Sequence, residues 1–168
     1  LGVEHLLFAS TAAIYGDPQE DDIPTKETYH PLQTSHYGAS KIAAEAIIES
    51  YSAYKYFKTS SFRFVSWIGP KYSHGVIYDF VKKLRNNNKS MEILGNGEQT
   101  KSYLHVFDGI NAMLSVMHNQ KEYHSTFNVG HSELINVVDL ADIVCEEMNL
   151  ENVEYKFTSN EPRGWIGD

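Results

Sequence analysis

Short apolar runs alternate along this chain with segments whose apolar residues recur every three or four positions, as strands alternating with amphipathic helices do. Residues 3–10 form the first run, which ends in the hydroxyls of Ser10 and Thr11, with Gly16 closing the stretch. Such a run reads as a buried parallel strand delivering polar groups at its C-terminal end, where open α/β sheets bind ligands. Residues 16–35 carry Pro18, Pro24 and Pro31 among acidic side chains, so a loop is expected there rather than a helix. A loop of that length inside a compact domain points to function. The spacing then predicts a helix over 37–57, with Ile42, Ala43, Ala46, Ile47, Tyr51 and Tyr54 as its apolar positions. A second strand follows over 58–67 and stops at Gly69 and Pro70.

The later elements are shorter. Helical spacing at Val76, Phe80, Val81 and Leu84 predicts a helix over 76–86, and Lys82, Lys83, Arg85 and Lys89 read as its solvated face. A strand is expected over 91–94, a turn over 95–97 and a strand over 102–106. Asp108 is placed to cap a helix running through residue 117. A strand over 126–129, a helix over 137–148 and a strand over 153–157 complete the order. Strand–helix alternation makes the expected fold class α/β.

Composition narrows the function classes. The 168 residues are 42% hydrophobic and 12% aromatic, a globular balance. A net charge of −8 with no Lys/Arg-rich run argues against non-specific nucleic-acid binding. Cys145 stands alone, so no disulfide forms within the chain and a reducing cytoplasm fits. No apolar stretch reaches membrane-spanning length and no signal peptide is read. The eight histidines show no metal-ligand spacing, so no metal is expected; His74 is a candidate for a substrate rim.

Candidate chemistry centres on Tyr37 and Lys41. Four apart on a helix, they share one face a turn apart. An ammonium so placed favours the phenolate, which can then act as a general base. The stretch before it, S-T-A-A-I-Y-G over residues 10–16, adds a hydroxyl pair at a strand end. The hydroxyl, tyrosine and lysine set resembles that of the short-chain dehydrogenase/reductase superfamily. The S-T-x-x-I-Y-G form is similar to its extended branch, the nucleotide-sugar epimerases and dehydratases. Further pieces match in order: Arg63 through Pro70, Gly95 through Asp108, Phe127-Asn128-Val129-Gly130, and Arg163 before Gly167-Asp168. Ser66 stands where the family has asparagine, and Lys101 where arginine is commoner.

The resemblance implies a fold and a set of roles. Residues 1–70 are expected to form the second half of a Rossmann-like parallel sheet, with strands near 102–106 and 126–130 returning to it. Residues 71–168 are expected to build a smaller α/β domain that binds the sugar nucleotide. Catalysis falls to Tyr37, Lys41 and Thr11, with Ser10 the second candidate beside Thr11. NAD is the implied cofactor, contacted by Tyr37, Lys41 and Ser10. A UDP-sugar is the implied substrate, contacted by Thr11, Ser66, Lys101, Tyr103 and Arg163, and a homodimer the implied assembly of the full-length protein. The family's glycine-rich phosphate loop has no counterpart here, so the chain reads as the C-terminal part of a longer protein, inactive alone. The branch's dehydratases carry S-T-D-E-V-Y-G; here both acidic positions are alanine, Ala12 and Ala13. The implied activity is therefore interconversion of 4-epimers, as between UDP-glucose and UDP-galactose, through a transient 4-keto sugar. A dehydratase or reductase of the same branch, or an inactive binding module, is the alternative.

Overall fold

The computed structural model describes residues 2–16, 18–19, 23–30 and 32–161. It divides the chain into two compact units, one of residues 1–68 and 103–131, the other of residues 69–102 and 132–168.

The first unit is built on a parallel sheet. Strand β1 (His5–Thr11) is followed by helix α1 (His36–Ala53), which returns the chain to strand β2 (Lys58–Phe64). Strand β7 (His124–Val129) lies on the other side of β2, giving the order β1-β2-β7. The register sets Ser10 beside Arg63 and Arg63 beside Asn128. Central β2 is buried from Thr59 to Arg63, although only Phe62 of those residues is apolar. Two of its three hydroxyls are met by polar side chains: Thr59 Oγ1 lies 2.8 Å from His124 Nδ1, and Ser60 Oγ 2.8 Å from His5 Nε2, whereas Ser61 Oγ is buried without a hydrogen-bond partner. Phe62 stacks between Phe64 and Phe127, with centroids 5.9 and 5.7 Å away.

A kink at Val65 splits the expected 58–67 strand. The last part, β3 (Ser66–Ile68), pairs in parallel with β6 (Tyr103–His105) instead of with the main sheet. Helix α3 (Val106–Asn119) follows β6 directly. Its cap position is His105, without a side-chain bond, so Asp108 sits in the first turn rather than at the cap. There it still complements the partial positive charge of the helix start.

Helix α1 ends four residues earlier than the apolar spacing predicts, because Lys55 adopts a left-handed conformation at φ 57°. Its expected apolar face is turned outward: Ile47, Tyr51 and Tyr54 are 61%, 48% and 74% exposed. The face on the sheet carries Gly38, Glu45 and Ser52. The reason is Arg63, whose buried guanidinium requires a carboxylate opposite it rather than an aliphatic group.

The second unit packs helix α2 (Val76–Asn86) and helix α4 (Val137–Glu147) with parallel strands β4 (Ser90–Ile93) and β9 (Glu154–Phe157). Its core is Phe80, Leu84, Met91, Ile93, Ala141, Val144 and Cys145. Asn136 caps α4, its Oδ1 accepting from Asp139 N at 2.7 Å. Two-residue strands β5 (Thr100–Lys101) and β8 (Ile135–Asn136) form an antiparallel ladder that the hydrophobic pattern does not reveal. Among the described residues no helix is long and apolar enough to cross a membrane.

Candidate active site

The end of β1 is where the candidate groups gather. After Thr11 the chain does not leave the sheet as an open loop; residues Ala12–Tyr15 wind into a 3-10 turn. Thr11 caps it, Oγ1 accepting from Ala13 N at 3.2 Å. The Thr11 hydroxyl thus has a structural bond but keeps its own hydrogen to donate. Ser10 Oγ is buried and without a hydrogen-bond partner at the same strand end. A buried hydroxyl left so is costly unless something else completes it.

Local close approaches bring α1 to this turn. Gly16 takes φ 66°, and a side chain there would meet the Leu32 carbonyl at 2.2 Å. Gln33 Nε2 donates to Ile14 O at 2.9 Å, and Ser35 Oγ caps α1 by accepting from Gly38 N at 3.0 Å. A Cβ on Gly38 would lie 2.8 Å from the Ala13 carbonyl, so the helix start rests directly on the turn that Thr11 caps. Tyr37 and Lys41 are carried to the end of β1 by this contact. Lys41 Nζ donates to Ala9 O at 2.8 Å and lies 5.0 Å from the Phe8 ring and 5.8 Å from the Tyr37 ring. The Tyr37 side chain is 56% exposed, open to a reactant.

The other predicted contacts are distributed. Ser66 and Tyr103 are direct neighbours, paired across β3 and β6. Lys101 lies in the second unit, on β5 opposite Ile135. Arg163 lies outside the described residues. Among the described residues no group of three or more His, Cys, Asp or Glu could hold a metal ion.

Sequence reasoning passed over a buried polar cluster beside the strand end. Arg63, on β2, donates from Nη2 to Glu45 Oε2 at 2.8 Å, and from Nη1 to Tyr15 OH at 2.7 Å and Glu27 O at 2.9 Å. Tyr15 OH in turn donates to Asn128 Oδ1 at 2.6 Å. Asn128 Nδ2 donates to Thr25 O at 2.7 Å, and its backbone N to Glu27 Oε1 at 2.9 Å. Burial pushes the Tyr15 pKa up, outweighing the opposing bonds from Arg63 and Asn128. Burial opposes the Arg63 charge, but the bonds to Glu45 and Tyr15 prevail and push its pKa up. Tyr15 is therefore a sequestered, protonated phenol, whereas Tyr37 is open. The signal was present: Tyr15, Arg63 and Asn128 all belong to the quoted motifs, and Glu45 follows Lys41 by one turn.

The second unit holds a separate cavity of about 540 Å³ lined by Asp142, Cys145, Glu146 and Tyr155, among others. Tyr155 OH donates to Asp142 Oδ1 at 2.6 Å, and none of the predicted site residues lines it.

Parallel strands joined by a crossover helix make the first unit part of a Rossmann-like α/β protein. The chain belongs to the NAD dependent epimerase/dehydratase family, whose model matches residues 1–130. It is similar to a solved UDP-galactose 4-epimerase: 34% identity, TM-score 0.79, with 94% of this chain and 53% of that one covered. It is also similar to the UDP-glucose 4-epimerase of Thermus thermophilus, solved with NAD: 26% identity, TM-score 0.80, covering 98% and 54%. Among curated proteins, dTDP-D-glucose 4,6-dehydratase of Mus musculus is 29% identical over 166 residues, 98% of this chain and 44% of its own. The chain spans about half the length of these relatives.

Proposed function

We propose that this chain carries the reaction centre of an NAD-dependent nucleotide-sugar 4-epimerase acting on a UDP-sugar of the UDP-glucose/UDP-galactose type. The observation that carries the reading is the strand end itself: an exposed Tyr37 beside Lys41, a Thr11 hydroxyl with a hydrogen to give, and methyl groups at Ala12 and Ala13. Tyr37 takes the proton of the sugar 4-hydroxyl as that carbon is oxidised, and returns it when the carbon is reduced on its opposite face. Lys41, fixed by the Ala9 carbonyl, stabilises the phenolate between those events. Thr11 donates to the sugar oxygen, which becomes a ketone in the transient 4-keto sugar. NAD, when bound, supplies the acceptor and donor of the hydride. The residues present fit its nicotinamide riboside end: Tyr37 and Lys41 are within reach of an open face, and the orphaned Ser10 hydroxyl calls for a partner.

Elimination of water across C5 and C6 needs an acid and a base that Ala12 and Ala13 cannot supply. The 4-keto sugar therefore returns to an alcohol. The first unit serves the cofactor and the reaction, and Ser66 and Tyr103, neighbours across β3 and β6, contact the nucleotide sugar. The outward apolar stripe of α1, with Ile47 and Tyr51 exposed and Tyr54 exposed just past its end, supports pairing of two copies through that helix. The test is product analysis of the complete protein with UDP-glucose in deuterium oxide. UDP-galactose without solvent deuterium at C5 is expected. A 4-keto-6-deoxy product with deuterium at C5 would instead identify a dehydratase.

A further inference from the structure

The buried cluster around Arg63 has no proton to move in that reaction, yet it touches the connection between Thr11 and Tyr37 at three points. At the start, Tyr15 is bound by Arg63 and Asn128. In the middle, the carbonyls of Thr25 and Glu27 and the Glu27 carboxylate are bound by the same two residues. Beyond the end, Glu45 on α1 is bound by Arg63 two turns after Tyr37. Arg63 and Asn128 are register neighbours on β2 and β7, with Ser10 of β1 in the same row. The sheet therefore holds both ends and the centre of the segment that separates the proposed hydrogen-bond donor from the proposed base.

We infer that Arg63, Tyr15 and Asn128 are positioning residues that set where Tyr37 stands relative to Thr11. The inference rests on the functional reading above. Chemistry favours a positioning role over simple stabilisation. A buried ion pair is often no more stabilising than apolar groups of the same volume, so its directional bonds are the better reason for its presence. A guanidinium offers planar, fixed donor directions, and here they point to the helix on one side and to Tyr15 and the loop on the other. Displacement of a reacting group by about 1 Å costs on the order of a hundredfold in rate, so an anchor remote from the proton transfer can govern turnover.

The experiment compares Tyr15→Phe with Leu84→Ala in the complete protein. Tyr15→Phe keeps the ring but removes the hydroxyl that joins Arg63 to Asn128. Leu84→Ala weakens the core of the second unit and touches none of these groups. Amide exchange over residues 25–29 should accelerate about tenfold in Tyr15→Phe, the loss of roughly one buried hydrogen bond. Its kcat should fall by about ten- to a hundredfold with KM for the sugar nucleotide changed less than about twofold. Leu84→Ala should lower the unfolding temperature and leave kcat and the exchange over residues 25–29 unchanged. Full turnover in Tyr15→Phe, or a fall in kcat that Leu84→Ala reproduces, overturns the positioning role. Absence of epimerisation in the unsubstituted protein overturns the functional reading and this inference with it; that failure is recognised because it does not depend on Tyr15.

Discussion

Separating the partners of the buried pair should destabilise the first unit severely, and the two substitutions should not add. Arg63 and Glu45 are each 7% exposed at the side chain, and the carboxylate receives the guanidinium at 2.8 Å through Nη2 and 3.3 Å through Nε. In Glu45→Gln the guanidinium keeps Tyr15 OH and Glu27 O but loses its counter-charge. In Arg63→Met the carboxylate is left without a cation, and Tyr15 and Glu27 lose their donor. Removing one partner of a buried pair costs about 3–5 kcal/mol, because the survivor remains charged and desolvated. An exposed pair would contribute about 1 kcal/mol or less. Each single variant is therefore expected to lose about 3 kcal/mol or more, a large part of the roughly 5–15 kcal/mol that holds a domain folded. The double variant should lose less than the sum by about 1–3 kcal/mol. Amide exchange along β2 and α1 of the complete protein, followed as urea rises, reads this locally. Single losses below about 1 kcal/mol, or strict additivity, would refute the idea that the charges depend on each other.

Further outcomes follow from particular contacts. Gly38→Ala should displace the first turn of α1 from the Ala13 carbonyl, costing about 1–3 kcal/mol in urea unfolding, and should lower kcat of the complete protein; wild-type behaviour would place the helix elsewhere. Ile47→Glu should convert a two-copy assembly to single copies in sedimentation equilibrium, since it puts a charge into the exposed stripe of α1; an unchanged mass would remove α1 from the interface. Burial raises the pKa of Tyr15 and Tyr155 above the ordinary 10, so the folded state holds protons that the unfolded state releases. That contribution is complete below pH 10 and is lost as pH rises through the folded values, so Tyr155→Phe should flatten the fall in unfolding temperature above pH 10. An equally steep fall in the variant would contradict the assignment.

The sheet was legible because β1 is a short apolar run ending in hydroxyls, and because helically spaced apolar positions separate it from the next strand. The proposed reaction residues were legible for the same reason: they lie in two short motifs that local structure carries to one strand end. The inward face of α1 was not legible. Apolar periodicity points to Ile47 and Tyr51, but the helix instead turns Glu45 toward a strand arginine, a choice made by tertiary charge pairing. The cluster of Tyr15, Arg63, Glu45 and Asn128 joins residues of separate motifs, so its members stand out in the sequence but their contact with one another does not. The β5–β8 ladder escaped because two-residue strands are too short to show a period.

The most direct test of the account is Tyr37→Phe in the complete protein, with kcat for epimerisation and the dissociation constant of the UDP-sugar measured side by side. Removal of the hydroxyl leaves the ring and the Lys41 bond to Ala9 untouched while abolishing the proposed proton transfer. The account predicts a fall in kcat of about a hundredfold or more, with sugar-nucleotide affinity within a few-fold of the unsubstituted protein. Near-normal turnover in Tyr37→Phe would contradict it.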